Sequence, residues 1–147
     1  MTKKNFSASF EMMQSADVLF PLFSAEGETL WVPDWEYTAI SDGKVLHEDY
    51  VFVTTNHDFA TTDAIWLVKK HQPDDYLVQF YKVEPEDKIA VITVQCYPID
   101  EGRTKVTVSY EYIALAERGR NFIKHHKSED YDAFISEWKI LLDQYFE

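Results

Sequence analysis

SEDYDAFISEWKILLDQYFE, residues 128–147, is the stretch whose reading decides the fold. Tyr131, Phe134, Ile135, Trp138, Leu141, Leu142 and Tyr145 recur at helical spacing and make one apolar stripe. Asp130, Asp132, Glu137, Lys139, Asp143 and Gln144 fall largely on the other side. A stripe so rich in aromatic rings needs a broad apolar partner surface. The candidate upstream is the face of an antiparallel sheet, because residues 35–114 carry a period of two.

Six strands are expected there: Trp35–Ser41, Tyr50–Thr55, Ala64–Lys70, Tyr76–Val83, Ile89–Tyr97 and Thr104–Ala114. Turn signals separate them at Asp42-Gly43, Asn56-His57-Asp58, Gln72-Pro73-Asp74-Asp75, Glu84-Pro85-Glu86-Asp87 and Asp100-Glu101-Gly102. Connections this short make consecutive strands antiparallel neighbours. In the last strand Val106, Val108, Tyr110 and Tyr112 share a face that reads as dry, while Thr107, Ser109 and Glu111 share a wet one. A further strand, Asn5–Met13, precedes them, with Phe6, Ala8, Phe10 and Met12 on one side. Two short helices follow it. Ser15 offers an N-cap for the first, which Pro21 limits, and Ser24, Glu26 and Glu28 start the second, which ends near Trp31-Val32-Pro33. After Ala114 a helical pattern returns through Leu115, Phe122 and Ile123 and closes on Lys124, His125, His126 and Lys127. Ser128 marks the restart. The order β-α-α-β-β-β-β-β-β-α, with helices against one face of an antiparallel sheet, is an α+β domain covering residues 1–147.

That order is the helix-grip plan, and the chain resembles the START-like superfamily, also called SRPBCC, with its birch-pollen-allergen and polyketide-cyclase groups. Gly27-Glu28, Trp31-Val32-Pro33 and Trp35 look, in order and spacing, like the segment that opens many bacterial members. Gly102-Arg103-Thr104-Lys105-Val106-Thr107-Val108 looks like the turn and strand before the family's C-terminal helix, and Trp138 stands where such helices often carry an aromatic. The similarity runs over nearly the whole chain. It implies a curved seven-stranded sheet gripping the last helix, with a hydrophobic cavity between. It implies no single chemistry, since the superfamily holds lipid carriers, cyclases, hormone receptors and chaperone activators. Asp42 to Asp49 departs from the glycine-rich turn common in relatives, which leaves the ends of the second and third strands open.

Bulk properties narrow the partners. At 147 residues and 46% hydrophobic content the chain can build a core without staples, and its 16% aromatic content suits wide apolar walls. Fourteen Lys and Arg against 26 Asp and Glu give a net charge of −12, which disfavours nucleic acid and anionic membrane surfaces. No apolar run is long enough to span a membrane, and Met1 to Asn5 is followed by no apolar signal region, so membrane insertion and export are not expected. Cys96 is the sole cysteine, which precludes an intramolecular disulfide and fits a cytoplasmic protein. Nothing in the pattern sets an oligomeric state.

Metal, cofactor and nucleophile motifs are absent. His125 and His126 are adjacent and diverge on a helix, and His47, His57 and His71 lie at turns or strand ends, so no metal site is expected. There is no glycine-rich phosphate loop and no Gly-x-Ser-x-Gly, and no cofactor is expected. Cys96, in an apolar strand, reads as inert. The acid pairs Asp74 with Asp75, Glu84 with Glu86 and Asp100 with Glu101 cluster in turns and read as solvated. Glu28 reads as support for the second short helix.

What remains is polar groups set in apolar faces. Tyr110 and Tyr112 on the dry face, Tyr37 beside Trp35, and Tyr131 and Tyr145 on the helix stripe each need a partner for the hydroxyl, which in a cavity can be a ligand. Trp31 and Trp66 could wall a cavity mouth. The expected function is binding of an apolar, aromatic or lipid-like small molecule between sheet and helix, lined by Phe6, Phe10, Trp35, Tyr37, Trp66, Tyr110, Tyr112, Phe134, Trp138 and Leu142. Two alternatives stay open: a cyclase or dehydratase using the same cavity with a tyrosine as proton donor, and an acidic protein-interaction module with a filled core.

Overall fold

In the computed structural model, which describes residues 1–55 and 63–147, seven antiparallel strands form one sheet in the order β1-β7-β6-β5-β4-β3-β2. They are β1 (Lys3–Met12), β2 (Tyr37–Ala39), β3 (Val51–Thr54), β4 (Ala64–Gln72), β5 (Leu77–Glu84), β6 (Lys88–Asp100) and β7 (Arg103–Ala114). The turn expected at Asn56-His57-Asp58 lies outside the described residues. From β2 to β7 each strand neighbours the next, as the short turns require. Only β1 pairs across the chain, with Phe6 opposite Tyr110 and Met12 opposite Thr104.

Alternation makes the sheet two-faced. Thr104, Val106, Val108, Tyr110 and Tyr112 of β7 are buried, and so are Ala90, Ile92, Val94 and Cys96 of β6 and Val78 and Phe80 of β5. The opposite face carries Ser7, Ser9, Thr107 and Ser109, whose hydroxyls hydrogen-bond one another across the strands. Each large apolar side chain taken fully out of water on the inner face contributes about 1.5–3 kcal/mol.

The helices cover that inner face. α1 (Ala16–Leu19) is a single turn that continues as a 3₁₀ turn through Phe20–Leu22, with Pro21 inside it. Ser15 stands at the N-cap but makes no side-chain cap; its carbonyl accepts from Val18 and Leu19 instead. The second short helix is a 3₁₀ turn, Gly27–Leu30. β2 begins two residues later than the pattern predicts. Asp34 has φ +59°, and the Trp35 indole N–H donates to the Ala25 carbonyl, which ties the chain to the helical segment before it can join the sheet.

Two helices, not one, follow the last strand: α2 (Glu117–His125) and α3 (Ser128–Tyr145). The cap of α3 falls one residue before Ser128. The Asp130 carboxylate accepts from the Lys127 backbone N–H at 2.9 Å. α3 lies along β1, with Tyr131, Ile135 and Leu142 buried, and Trp138 packs against Phe23 and Trp31. Tyr131 donates its hydroxyl to the Val108 carbonyl at 2.6 Å, a buried bond between helix and sheet. Tyr131→Phe removes this donor while the Val108 carbonyl keeps its place in the sheet between Ala8 and Val94, so a loss of about 1 kcal/mol is expected in urea unfolding at constant m-value.

Candidate functional site

The row across the inner face that contains Ala90 leaves space. Trp66 of β4 stands opposite Lys82 of β5, Lys82 opposite Ala90 of β6, and Ala90 opposite Tyr112 of β7. A methyl group in the middle of such a row does not reach the helices above it. The result is a cavity of about 380 Å³ between the sheet, α2 and α3, lined by Lys82, Glu84, Asp87, Lys88, Ala90, Tyr110, Tyr112, Arg118, Phe122, His126 and Phe134. That volume lies within the usual range for small-molecule pockets, roughly 300–1,000 Å³. Phe134 and Arg118 are the exposed members of the lining.

One wall is aromatic. Phe134 meets Tyr110 edge to face at 5.5 Å, Tyr110 and Tyr112 sit 5.5 Å apart, and Phe122 stacks on His126 at 4.7 Å. Burial, ahead of the neighbouring Tyr112 phenol and the Glu28 carboxyl, drives the Tyr110 hydroxyl well above the ordinary phenol range. Tyr112 is raised too, by burial and then by Glu84. Both phenols therefore keep their protons at neutral pH. Among the described residues neither hydroxyl has a hydrogen-bond partner in the protein, unlike Tyr131, Tyr37 (on Glu26) and Tyr50 (on the Gly43 carbonyl). Burial lowers His126, whose Nε2 is buried without a hydrogen bond.

The other wall is ionic. Glu84, Asp87 and Lys88 are all buried, which overturns the reading of the Glu84 turn as solvated. The Lys88 ammonium lies 3.4 Å from Glu84 and 3.5 Å from Asp87, and 4.2 Å above the Phe122 ring. Arg118 reaches the second oxygen of Asp87 at 3.4 Å. Buried ions of this kind are tolerated because each is paired. Lys82 differs. Its ammonium sits 5.4 Å over the Trp66 ring and has no carboxylate within ion-pair distance among the described residues.

Glu28, on the 3₁₀ turn, is half-buried, and its carboxyl is close enough to the sheet for its charge to act on Tyr110. Burial pushes it up to about 8, against the opposing pull of Lys82, so at neutral pH it holds its proton. Its part in starting the turn does not account for that. Burial likewise pushes the Cys96 thiol up to about 12, which makes it unreactive at neutral pH.

Of the ten residues expected to line a site, Tyr110, Tyr112 and Phe134 do line this cavity, and Trp138 backs it through Tyr110 and Phe134. The other six sit elsewhere. Phe6 packs beneath, against Tyr112 and Tyr131, and Leu142 is fully buried farther along α3. Trp35, Tyr37 and Trp66 gather around Phe52 on the other half of the sheet. Phe10 borders a separate space of about 310 Å³ with Ile135 and Ile140. The ionic wall was missed, although extending the alternation of Val78 and Phe80 places Lys82 and Glu84 on the same inner face.

No family model and no curated protein matches the chain at significance. Solved structures do. Ginseng major latex-like protein 151 from Panax ginseng has a TM-score of 0.70 at 18% identity, covering 97% of this chain and 96% of that one. Norcoclaurine synthase from Thalictrum flavum, in complex with dopamine and hydroxybenzaldehyde, gives 0.68 at 15% identity over 97% and 88%. The Zhui aromatase/cyclase from Streptomyces gives 0.61 at 10% identity over 98% and 87%. Identities this low speak for architecture alone. With a seven-stranded antiparallel sheet closed over a C-terminal helix, the chain has the helix-grip fold, shared with these solved structures.

Proposed function

We propose that the protein binds a small, largely apolar molecule in the cavity between the sheet, α2 and α3. The observation that carries this is the pair of buried phenols, Tyr110 and Tyr112, facing an open cavity with no hydrogen-bond partner for either hydroxyl among the described residues. Two phenol hydroxyls free to donate into one space favour an occupant that accepts from them. Apolar burial against Phe122 and Phe134 supplies the rest of the driving force, about 25 cal/mol per Å². The complex of one fold neighbour with dopamine and hydroxybenzaldehyde, both aromatic, supports the reading. So does the unfilled interior, which weighs against a purely surface-acting acidic module. The reading keeps the whole chain as one domain in the cytoplasm, which the lone buried thiol suits.

N-phenylnaphthylamine, an uncharged dye that brightens in apolar surroundings, tests the role. Saturable enhancement is expected, together with a bound small molecule in native mass spectra of the purified protein. Ala90→Leu places a larger side chain on the cavity floor and should weaken the dye by about tenfold or more while the far-ultraviolet circular dichroism is unchanged. A dye that does not saturate, or that binds Ala90→Leu as well as wild type, removes the reading.

A second reading, an enzyme of the cyclase or dehydratase kind, is favoured by Glu28. A carboxyl held protonated near neutral pH beside a phenol is suited to proton transfer. Conversion of a bound compound by wild type but not by Glu28→Gln, seen as a mass change, would move the assignment there.

A further inference from the structure

The charges around the cavity say what class of molecule it takes. Two carboxylates and three cations line it. Glu84 and Asp87 are engaged by Lys88 and Arg118 at 3.4–3.5 Å. The remaining cation is Lys82, on the inner face of β5 directly opposite Ala90, the residue that opens the space. Its ammonium lies 5.4 Å over the Trp66 ring, a contact that holds it in place without neutralising it.

We propose that the occupant is an organic anion, an aromatic or short aliphatic body bearing one carboxylate or sulfonate that pairs with the Lys82 ammonium, a specification that rests on the binding role proposed above. The body lies against Phe122 and Phe134, and the anionic oxygens face Lys82 with the Tyr110 and Tyr112 hydroxyls as further donors. Both phenols are held in the donor form, and the protonated Glu28 carboxyl leaves the Lys82 charge uncompensated. A cationic ligand has no counterpart, since each lining carboxylate already has its ion pair. The chain's net charge of −12 repels anions at long range, so capture depends on this one local charge at short range.

Two dyes sharing one ring system separate charge from shape: uncharged N-phenylnaphthylamine and its sulfonate, anilinonaphthalene sulfonate. Wild-type protein should bind the sulfonate about tenfold tighter than the uncharged dye at low salt. In Lys82→Met, which keeps the length and apolar stem, that preference should vanish while the uncharged dye stays within about twofold of wild type. Lys82→Arg should retain the preference. If wild type binds both dyes equally, or Lys82→Met still prefers the sulfonate, the anion assignment falls and the binding role stands. If neither dye saturates the wild type, both fall together.

Discussion

Replacing Gly119 with alanine is expected to lower stability by about 3 kcal/mol or more and to cut dye binding, although alanine is the better helix former by about 1 kcal/mol. Gly119 lies within α2 and rests on the turn between β5 and β6. A Cβ built there would stand 2.1 Å from the Asp87 carbonyl oxygen and 2.9 Å from its carbon. Those are backbone atoms, and they cannot swing aside. The same carbonyl accepts from the N–H groups of Leu115 and Ala116, which set the start of α2, so neither partner can retreat without breaking the other contact. The helix must lift. Phe122, Arg118 and, beyond the helix end, His126 would lift with it, and these form one side of the cavity. For a chain of this size the loss corresponds to a fall in Tm of roughly 10 °C. Thermal unfolding with a parallel dye titration checks both halves. A variant with unchanged or raised Tm would mean that α2 is not seated on this turn.

Glu28→Gln is expected to be more stable than wild type at high pH and nearly equal to it at low pH. The sign follows from the proton. Burial raises the folded-state carboxyl to about 8 from an ordinary value near 4.5, so between those values the unfolded chain gives up a proton that the folded chain keeps. Stability then falls as pH rises through that window, and the penalty is fully present above pH 8. Glutamine has nearly the shape of the protonated acid and never ionises. After allowance for the partial exposure of the site, the gain above pH 8 is about 3 kcal/mol, and at pH 4–5 the difference should be within about 1 kcal/mol. Urea midpoints for both proteins at pH 5 and pH 9 decide the matter. A pH-independent difference would show that the carboxyl is solvated in the folded state.

The contrast between fold and site has a plain origin. Strands β5 to β7 and α3 were legible because their apolar residues repeat at the period of their structure over many turns or pleats. Tyr110 and Tyr112 were placed on the inner face for that reason. The ends of elements were harder to read. Trp35 looked like the first residue of a strand, but its indole N–H is spent on Ala25, a bond between loops that no period encodes. Glu84, paired with Glu86 in the turn that ends at Asp87, looked solvated, since charged residues around Pro85 ordinarily are. The burial of Glu84, Asp87 and Lys88 depends on α2 folding back over them, with Gly119 allowing the close approach. Glu28 looked like a dipole partner for a short helix, and only the sheet opposite reveals what its carboxyl faces. The scaffold is thus set by local pattern, and the ionic side of the cavity by contacts between segments far apart in sequence.

Strand β1 pairs only with β7, and the Ser7–Ser109 hydroxyl bond joins residues 102 positions apart. During synthesis β1 therefore waits for β7, and Phe6 and Phe10 wait with it for Tyr110 and Val106 to emerge. Closing so long a loop is entropically costly and slow. Until β7 is made, the unpaired edge of β1 is open to pairing with another chain, so the long separation of these two partners is a folding hazard.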